Sequence, residues 1–121
     1  MTIPETFFCF PASIPCYERV RAQIQAAFPD AAVKVDRTQT AFVRGVQFAW
    51  LSAPRRKRDD GCVILSFSLP EPATSPRIFA RAEPYPGRYM HHLLLRGSEE
   101  LDAACLGWLA RAWEYAGTRR K

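Results

Sequence analysis

Residues 62–69 read Cys62-Val63-Ile64-Leu65-Ser66-Phe67-Ser68-Leu69. Val63, Leu65, Phe67 and Leu69 alternate with Cys62, Ile64, Ser66 and Ser68, which is the period of a strand with a buried side and a more polar one. Similar segments flank it on both sides. Toward the C-terminus, residues 77–82 set Ile78, Ala80 and Ala82 against Arg77, Phe79 and Arg81. Residues 88–95 then follow the turn Pro84-Tyr85-Pro86-Gly87. Toward the N-terminus, residues 46–51 and 39–43 form a pair joined at Arg44-Gly45, with Val46, Phe48 and Trp50 expected on one face. Val33 and Val35 alternate with Lys34 and Asp36. Short connections between alternating segments favour an antiparallel sheet with one covered face.

The two ends change period. Tyr17, Val20, Ile24, Ala27 and Phe28 recur at helical spacing over residues 14–28, with Ser13 as the expected N-cap, Pro15 in the first turn and Pro29 as the stop. Residues 98–116 place Leu101, Ala104, Cys105, Trp108, Leu109, Ala112, Tyr115 and Ala116 on one stripe. Ser98 is the expected cap, and Gly117 the expected end. Trp113 lies at the stripe's edge, where it would cover a seam. The expected fold class is therefore α+β: a two-layer domain with a mainly antiparallel sheet of five to six strands. The N-terminal and C-terminal helices pack on one face, in the order α-β6-α. A chain of 121 residues is expected to be a single domain, with residues 1–12 as an N-terminal arm and 118–121 as a disordered basic tail.

Composition narrows the function classes. With 48% hydrophobic and 24% charged residues the chain is no disordered polymer, and no apolar run approaches the ~20 residues of a membrane helix. Met1 to Phe10 has no basic region before its apolar stretch, so no targeting segment is read and the expected compartment is the cytoplasm. The four cysteines, at 9, 16, 62 and 105, have no C-x-x-C spacing. Reduced thiols are expected, Cys62 and Cys105 as small buried hydrophobes. Cys9, Cys16, His91 and His92 match no usual zinc spacing, so neither metal nor cofactor is expected. The six glycines never cluster into a phosphate-binding loop, and no G-x-S-x-G elbow exists.

Three constellations remain. In a strand, His91 sides with Tyr89, Leu93 and Leu95, while His92 sides with Arg88, Met90 and Leu94. One is expected in the core and the other at the surface, where it could protonate or bind a ligand. The same alternation puts Arg77, Phe79 and Arg81 outward, joined by Ser66, Ser68, Arg88, Met90 and His92. Such a face offers guanidinium forks for phosphate or carboxylate and an aromatic ring for stacking. Finally, Arg55-Arg56-Lys57-Arg58 precedes Asp59-Asp60 in the long charged loop and could contact nucleic acid.

Several of these residues fall into a larger pattern: Thr38-Gln39, Ala41-Phe42, Arg44, Phe48-Ala49-Trp50, then Leu65-Ser66-Phe67-Ser68-Leu69. Ser75-Pro76-Arg77, Pro84, Pro86-Gly87-Arg88 and Met90-His91-His92-Leu93 follow, with Leu101-Asp102, Trp108-Leu109 and Ala112-Trp113 at the end. Together they resemble the small bacterial domain-of-unknown-function family 5655, most firmly over residues 33–116. The resemblance implies no activity, substrate or cofactor. It does place Gln39, Arg44, Arg77, His91 and His92 on motif positions.

The net charge of +5 is unevenly spread. Segments 31–52 and 77–96 hold seven basic and two acidic residues, whereas 1–30 and 97–118 hold three basic and seven acidic. A basic sheet backed by acidic helices is the resulting expectation. The first functional reading is a non-enzymatic module that binds an anionic small molecule or acidic partner through Arg77, Arg81, Arg88 and His92, with Gln39, Arg44 and Ser66. The second is nucleic-acid binding through Arg55, Arg56, Lys57, Arg58 and Phe79. The third is an enzyme with His91 or His92 as general acid–base. The chain is expected to be a monomer, or a homodimer through an edge strand, with no membrane association.

Overall fold

The computed structural model describes residues 2–119. Six strands form one sheet: β1 (Ala32–Val35), β2 (Gln39–Arg44), β3 (Val46–Ser52), β4 (Val63–Leu69), β5 (Ile78–Tyr85) and β6 (Arg88–Leu95). Their spatial order is β1-β2-β3-β4-β6-β5, and every neighbouring pair is antiparallel. Helices α1 (Ile14–Ala27) and α2 (Ala103–Arg119) stand at the two ends of the chain. The α+β fold expected from the alternation is the one formed.

The core lies between the helices and one face of the sheet. Val63, Leu65, Phe67 and Leu69 of β4 point into it, with Phe42, Leu51, Leu93 and Leu95 from neighbouring strands. Tyr17, Val20 and Ile24 of α1 and Cys105, Leu109, Ala112 and Ala116 of α2 close it. Each such large side chain contributes roughly 1.5–3 kcal/mol by leaving water. The N-terminal arm is tied in as well. It forms a short 3-10 turn over Glu5–Cys9, and Phe7 is fully buried with its ring 4.8 Å from that of Tyr17.

Three irregularities interrupt the pairing; one, between Ala82 and Tyr85, lies near the hairpin, and the other two break the expected alternation. Phe42 pairs with Ala49 and Val43 with Gln47, so Phe48 is an extra residue in β3. Such a bulge lets Phe48 and Ala49 both face the helices and turns Trp50 to the opposite side. Val46, Phe48 and Trp50 therefore do not share a face. Phe48 meets Phe28 and Trp113, while the Trp50 Nε1–H donates to Gln47 Oε1 at 2.9 Å. In β5, Ile78 pairs with Leu93 and Ala80 with His92, so Phe79 is the extra residue. Parity flips there, and Arg81 comes into register with His91 rather than His92.

The caps also differ from the sequence reading. Ser13 makes no capping bond; its hydroxyl accepts from the Gly61 N–H at 2.8 Å and pins the long loop to α1. Ser98 opens a separate 3-10 turn, and the α2 cap is Asp102, whose Oδ1 accepts from the Cys105 N–H at 3.1 Å. Gly117 does not end α2. A Cβ there would lie 2.7 Å from Arg44 Nη1, so any other residue would oblige that guanidinium to shift. Thr118 and Arg119 continue the helix instead of fraying, and Arg120 and Lys121 lie outside the described residues. Trp113 covers the expected seam, packing on Phe28 and Phe48. Cys105 is buried as expected, whereas Cys62 is only partly so.

Candidate ligand-binding site

Strand β6 runs through the middle of the candidate surface and carries the adjacent histidines. They fall on opposite faces. His91 is fully buried on the helix side, its ring stacked on Phe67 at 4.9 Å. Its Nε2 accepts from the Ala73 N–H at 2.9 Å, and Arg81 Nη1 donates to the Ala73 carbonyl at 3.1 Å. Both main-chain polar groups of Ala73, in the crossing segment 70–77, are thus held by β6 and β5. Because Nε2 accepts, the neutral ring carries its proton on Nδ1, which is buried without a partner. Burial pushes the His91 pKa down, and the Arg81 charge acts in the same direction. This is a structural histidine.

His92 faces the open side. Its Nδ1 lies 2.7 Å from Ser66 Oγ, and its ring centroid is 6.3 Å from that of Phe79. Burial lowers its pKa too, assisted by the Arg55 charge, so both imidazoles are neutral at pH 7. That side of the sheet is neutral rather than basic around it, and much of it is closed to water: Ala41, Trp50, Ile64, Ser66 and Ser68 are all buried, so the two serines expected to be outward are not available at the surface. In register with His92 and Ser66 stand Trp50, Ala41 and Ala80; the row beyond holds Met90, Ser68 and Ala82.

The arginines expected there are committed elsewhere. Arg77 donates from Nη1 to both carboxylate oxygens of Asp102 at 3.0 Å, and from Nη2 to the Glu100 carbonyl at 2.6 Å. It latches the start of β5 to the start of α2. The Asp102 carboxyl is held below its usual range by the Cys105 N–H first and by Arg77 second. Arg81 crosses to the helix side, as described. Arg44 donates to the Trp113 carbonyl at 2.9 Å and lies 4.4 Å over the Trp113 ring. Arg88, at the far end of β6, lies 5.4 Å over the Tyr85 ring. Six residues separate it from Leu94, about 20 Å along a strand. The expected open face carrying Arg77, Arg81, Arg88 and His92 together is not formed, because one bulge and three backbone or carboxylate acceptors disperse it.

A cleft instead opens at the opposite end of that face. It encloses about 640 Å³ and is lined by Ile64, Leu94, Phe79 and Pro76 with Arg55, Arg56, Arg77 and Arg96, against Asp59 and Glu100. Ile64 and Leu94 pair across β4 and β6, two residue pairs along from Ser66 and His92 on the same face, and Phe79 stands beside His92. Gln39 stands two strands away in the same row, through Ser52 and Ile64, about 10 Å from the cleft floor. Among the described residues, the guanidinium groups of Arg55, Arg56 and Arg96 make no hydrogen bond or ion pair with the protein. The basic run is therefore divided. Arg55 and Arg56 serve the cleft, Arg58 is exposed, and Lys57 donates to the Cys9 carbonyl and covers the Phe10 ring at 5.0 Å.

Sequence reading missed Arg96, Ile64 and Leu94 as lining residues. The signal was available only in the pairing of β4 with β6, which brings the two strand ends level. Among the described residues no group of three or more His, Cys, Asp or Glu could hold a metal ion, and no helix is long and apolar enough to cross a membrane.

No curated protein and no solved structure matches the chain. A family model does match, over residues 10–116, which spans all six strands, nearly all of both helices and every residue of the cleft. The chain therefore belongs to the family described as Domain of unknown function (DUF5655).

Proposed function

We propose that this domain is a non-enzymatic binding module for an anionic small molecule with an apolar or aromatic body, held in the cleft at the end of the open sheet face. One observation carries this reading. Three guanidinium groups without an acceptor among the described residues, Arg55, Arg56 and Arg96, surround a floor of Ile64, Leu94 and the half-exposed Phe79. Arginine forks without acceptors suit a phosphate or carboxylate, and the floor suits a flat apolar group. His92, neutral and bonded to Ser66, is placed beside Phe79 to recognise the ligand's body rather than its charge.

The cleft supports this reading over a nucleic-acid interface. Its basic groups converge on one concave end, and Lys57 is turned away to the N-terminal arm. A thermal-shift titration with nucleoside monophosphates, benzoate and a short oligonucleotide separates the two readings. Saturable stabilisation by a small aromatic anion, lost in Arg56→Glu and Arg96→Glu, is the expected result. Stabilisation by the oligonucleotide alone, falling steeply with salt, would overturn it in favour of nucleic acid.

A further inference from the structure

The hairpin joining β5 to β6 and the last turn of α2 meet at the end of the molecule far from the cleft. The Tyr115 hydroxyl of α2 donates to the Gly87 carbonyl at 3.2 Å and fixes this junction. Two arginines gather on it. Arg88, next to Gly87, lies over the Tyr85 ring at 5.4 Å, and Arg119 lies over the Tyr115 ring at 5.1 Å. Each has one buried donor without an acceptor among the described residues, Nε of Arg88 and Nη1 of Arg119. Neither guanidinium forms an ion pair among the described residues. The carboxylate of the hairpin itself, Glu83, is occupied by the Gly87 N–H at 3.0 Å.

Two like charges facing one junction with unmet donors are unfavourable unless something neutralises them. Burial and the Arg88 charge push the Arg119 pKa below its usual value, which expresses the same conflict. A helix C-terminus favours one cation. It does not account for a second on the hairpin. We propose that Arg88 and Arg119 form a second anion site, which takes a phosphoryl dianion between the β5–β6 hairpin and the end of α2. One tetrahedral dianion can accept from both guanidinium groups and offset both charges, which a single carboxylate cannot. The Tyr85 ring, 62% exposed, stands at the mouth of this site for any group attached to the phosphoryl.

The test is an amide and side-chain NMR titration of the full chain with inorganic phosphate, against sodium chloride at matched ionic strength. Saturable shifts centred on Gly87, Arg88 and Tyr115 with phosphate, and not with chloride, are expected. Arg88→Gln and Arg119→Gln should each weaken the midpoint about tenfold, the loss of one charge-assisted bond. Phenyl phosphate distinguishes the sources. Tighter binding than phosphate points to a phosphorylated molecule resting on Tyr85, and equal binding to the free ion; either supports the site. Equal responses to phosphate and chloride would overturn it. So would phosphate shifts that gather at Arg55, Arg56 and Arg96, or that survive the double variant. The wild-type map already separates a response at Gly87, Arg88 and Tyr115 from one at the cleft or from chloride, so a variant that fails to fold leaves the result readable. The cleft variants Arg56→Glu and Arg96→Glu should leave this response intact, so the two sites stand or fall separately.

Discussion

The two faces of the sheet use the same residue types in opposite ways. On the helix side and around its rim, arginine is a structural donor: Arg44 holds the Trp113 carbonyl, Arg77 holds Asp102 and the Glu100 carbonyl, and Arg81 holds the Ala73 carbonyl. At the end of the open face, the guanidinium groups of Arg55, Arg56 and Arg96 hold nothing among the described residues. Histidine divides likewise, His91 fastening a crossing segment and His92 meeting a serine beside an exposed ring. Charge on a strand is therefore no measure of a binding surface. What matters is whether the backbone has already claimed the donor.

Mutations can break this contrast, beginning with the largest effect. Phe67 is buried between His91 and Trp108, with ring centroids at 4.9 and 5.6 Å. Phe67→Ala should cost about 3–5 kcal/mol in denaturant unfolding, through lost burial and the cavity left behind. Arg77→Met should cost about 1–2 kcal/mol, since it removes the guanidinium donors from Asp102 and the Glu100 carbonyl at a partly exposed position. If Arg77→Met instead leaves stability unchanged and abolishes ligand binding, the division into structural and free arginines is wrong.

The histidines sharpen the comparison through pH. Both folded-state pKa values lie below the ordinary value of about 6.5, so below that pH the unfolded chain binds more protons than the folded one. Stability should be full above pH ~6.5 and decline as pH falls toward the depressed values. Melting curves between pH 5 and 8, a window taken around the same reference of about 6.5, should show this slope. His91→Gln and His92→Gln should each remove part of it. Protonation of His91 also ends its acceptance from the Ala73 N–H, so the protection of the Ala73 amide against exchange, relative to its intrinsic rate at each pH, should fall over the same range.

The smallest expected effect is at the cleft. Phe79 is 51% exposed, and Phe79→Ala should change stability by no more than about 0.5 kcal/mol. Its consequence should appear in the affinity for a small aromatic anion. A large loss of stability would mean that Phe79 supports the bulge in β5 rather than the ligand.

Much of this fold was legible because burial imposes a period. The alternation around Leu65 and Phe67 located β4, and the stripe through Cys105, Leu109 and Ala112 located α2. The bulges were not legible. At Phe48 the extra residue is followed by Ala49, and two adjacent apolar residues do not reveal which is inserted. At Phe79 a single inserted residue was enough to exchange the faces expected of Arg81 and its neighbours. The arginine partners were hidden for another reason. Their acceptors are main-chain carbonyls at Trp113, Glu100 and Ala73, and every residue has a carbonyl. No side-chain pattern marks the one that folding brings within reach. The separation of His91 from His92 required only strand parity, which held across the whole of β6.

The strand order β4-β6-β5 bears on the birth of the molecule at the ribosome. When residues up to 77 have emerged, β1 to β4 can already pair, but the outer edge of β4 has no partner. That edge is Val63–Leu69, the most apolar strand of the chain, and it stays open until residues 78–95 arrive as a hairpin. An open apolar edge invites pairing with another chain. The hairpin must therefore dock as a unit, β6 inward, before a neighbouring nascent chain does so. A stall or truncation between residues 70 and 88 should thus be more damaging to solubility than one within α2.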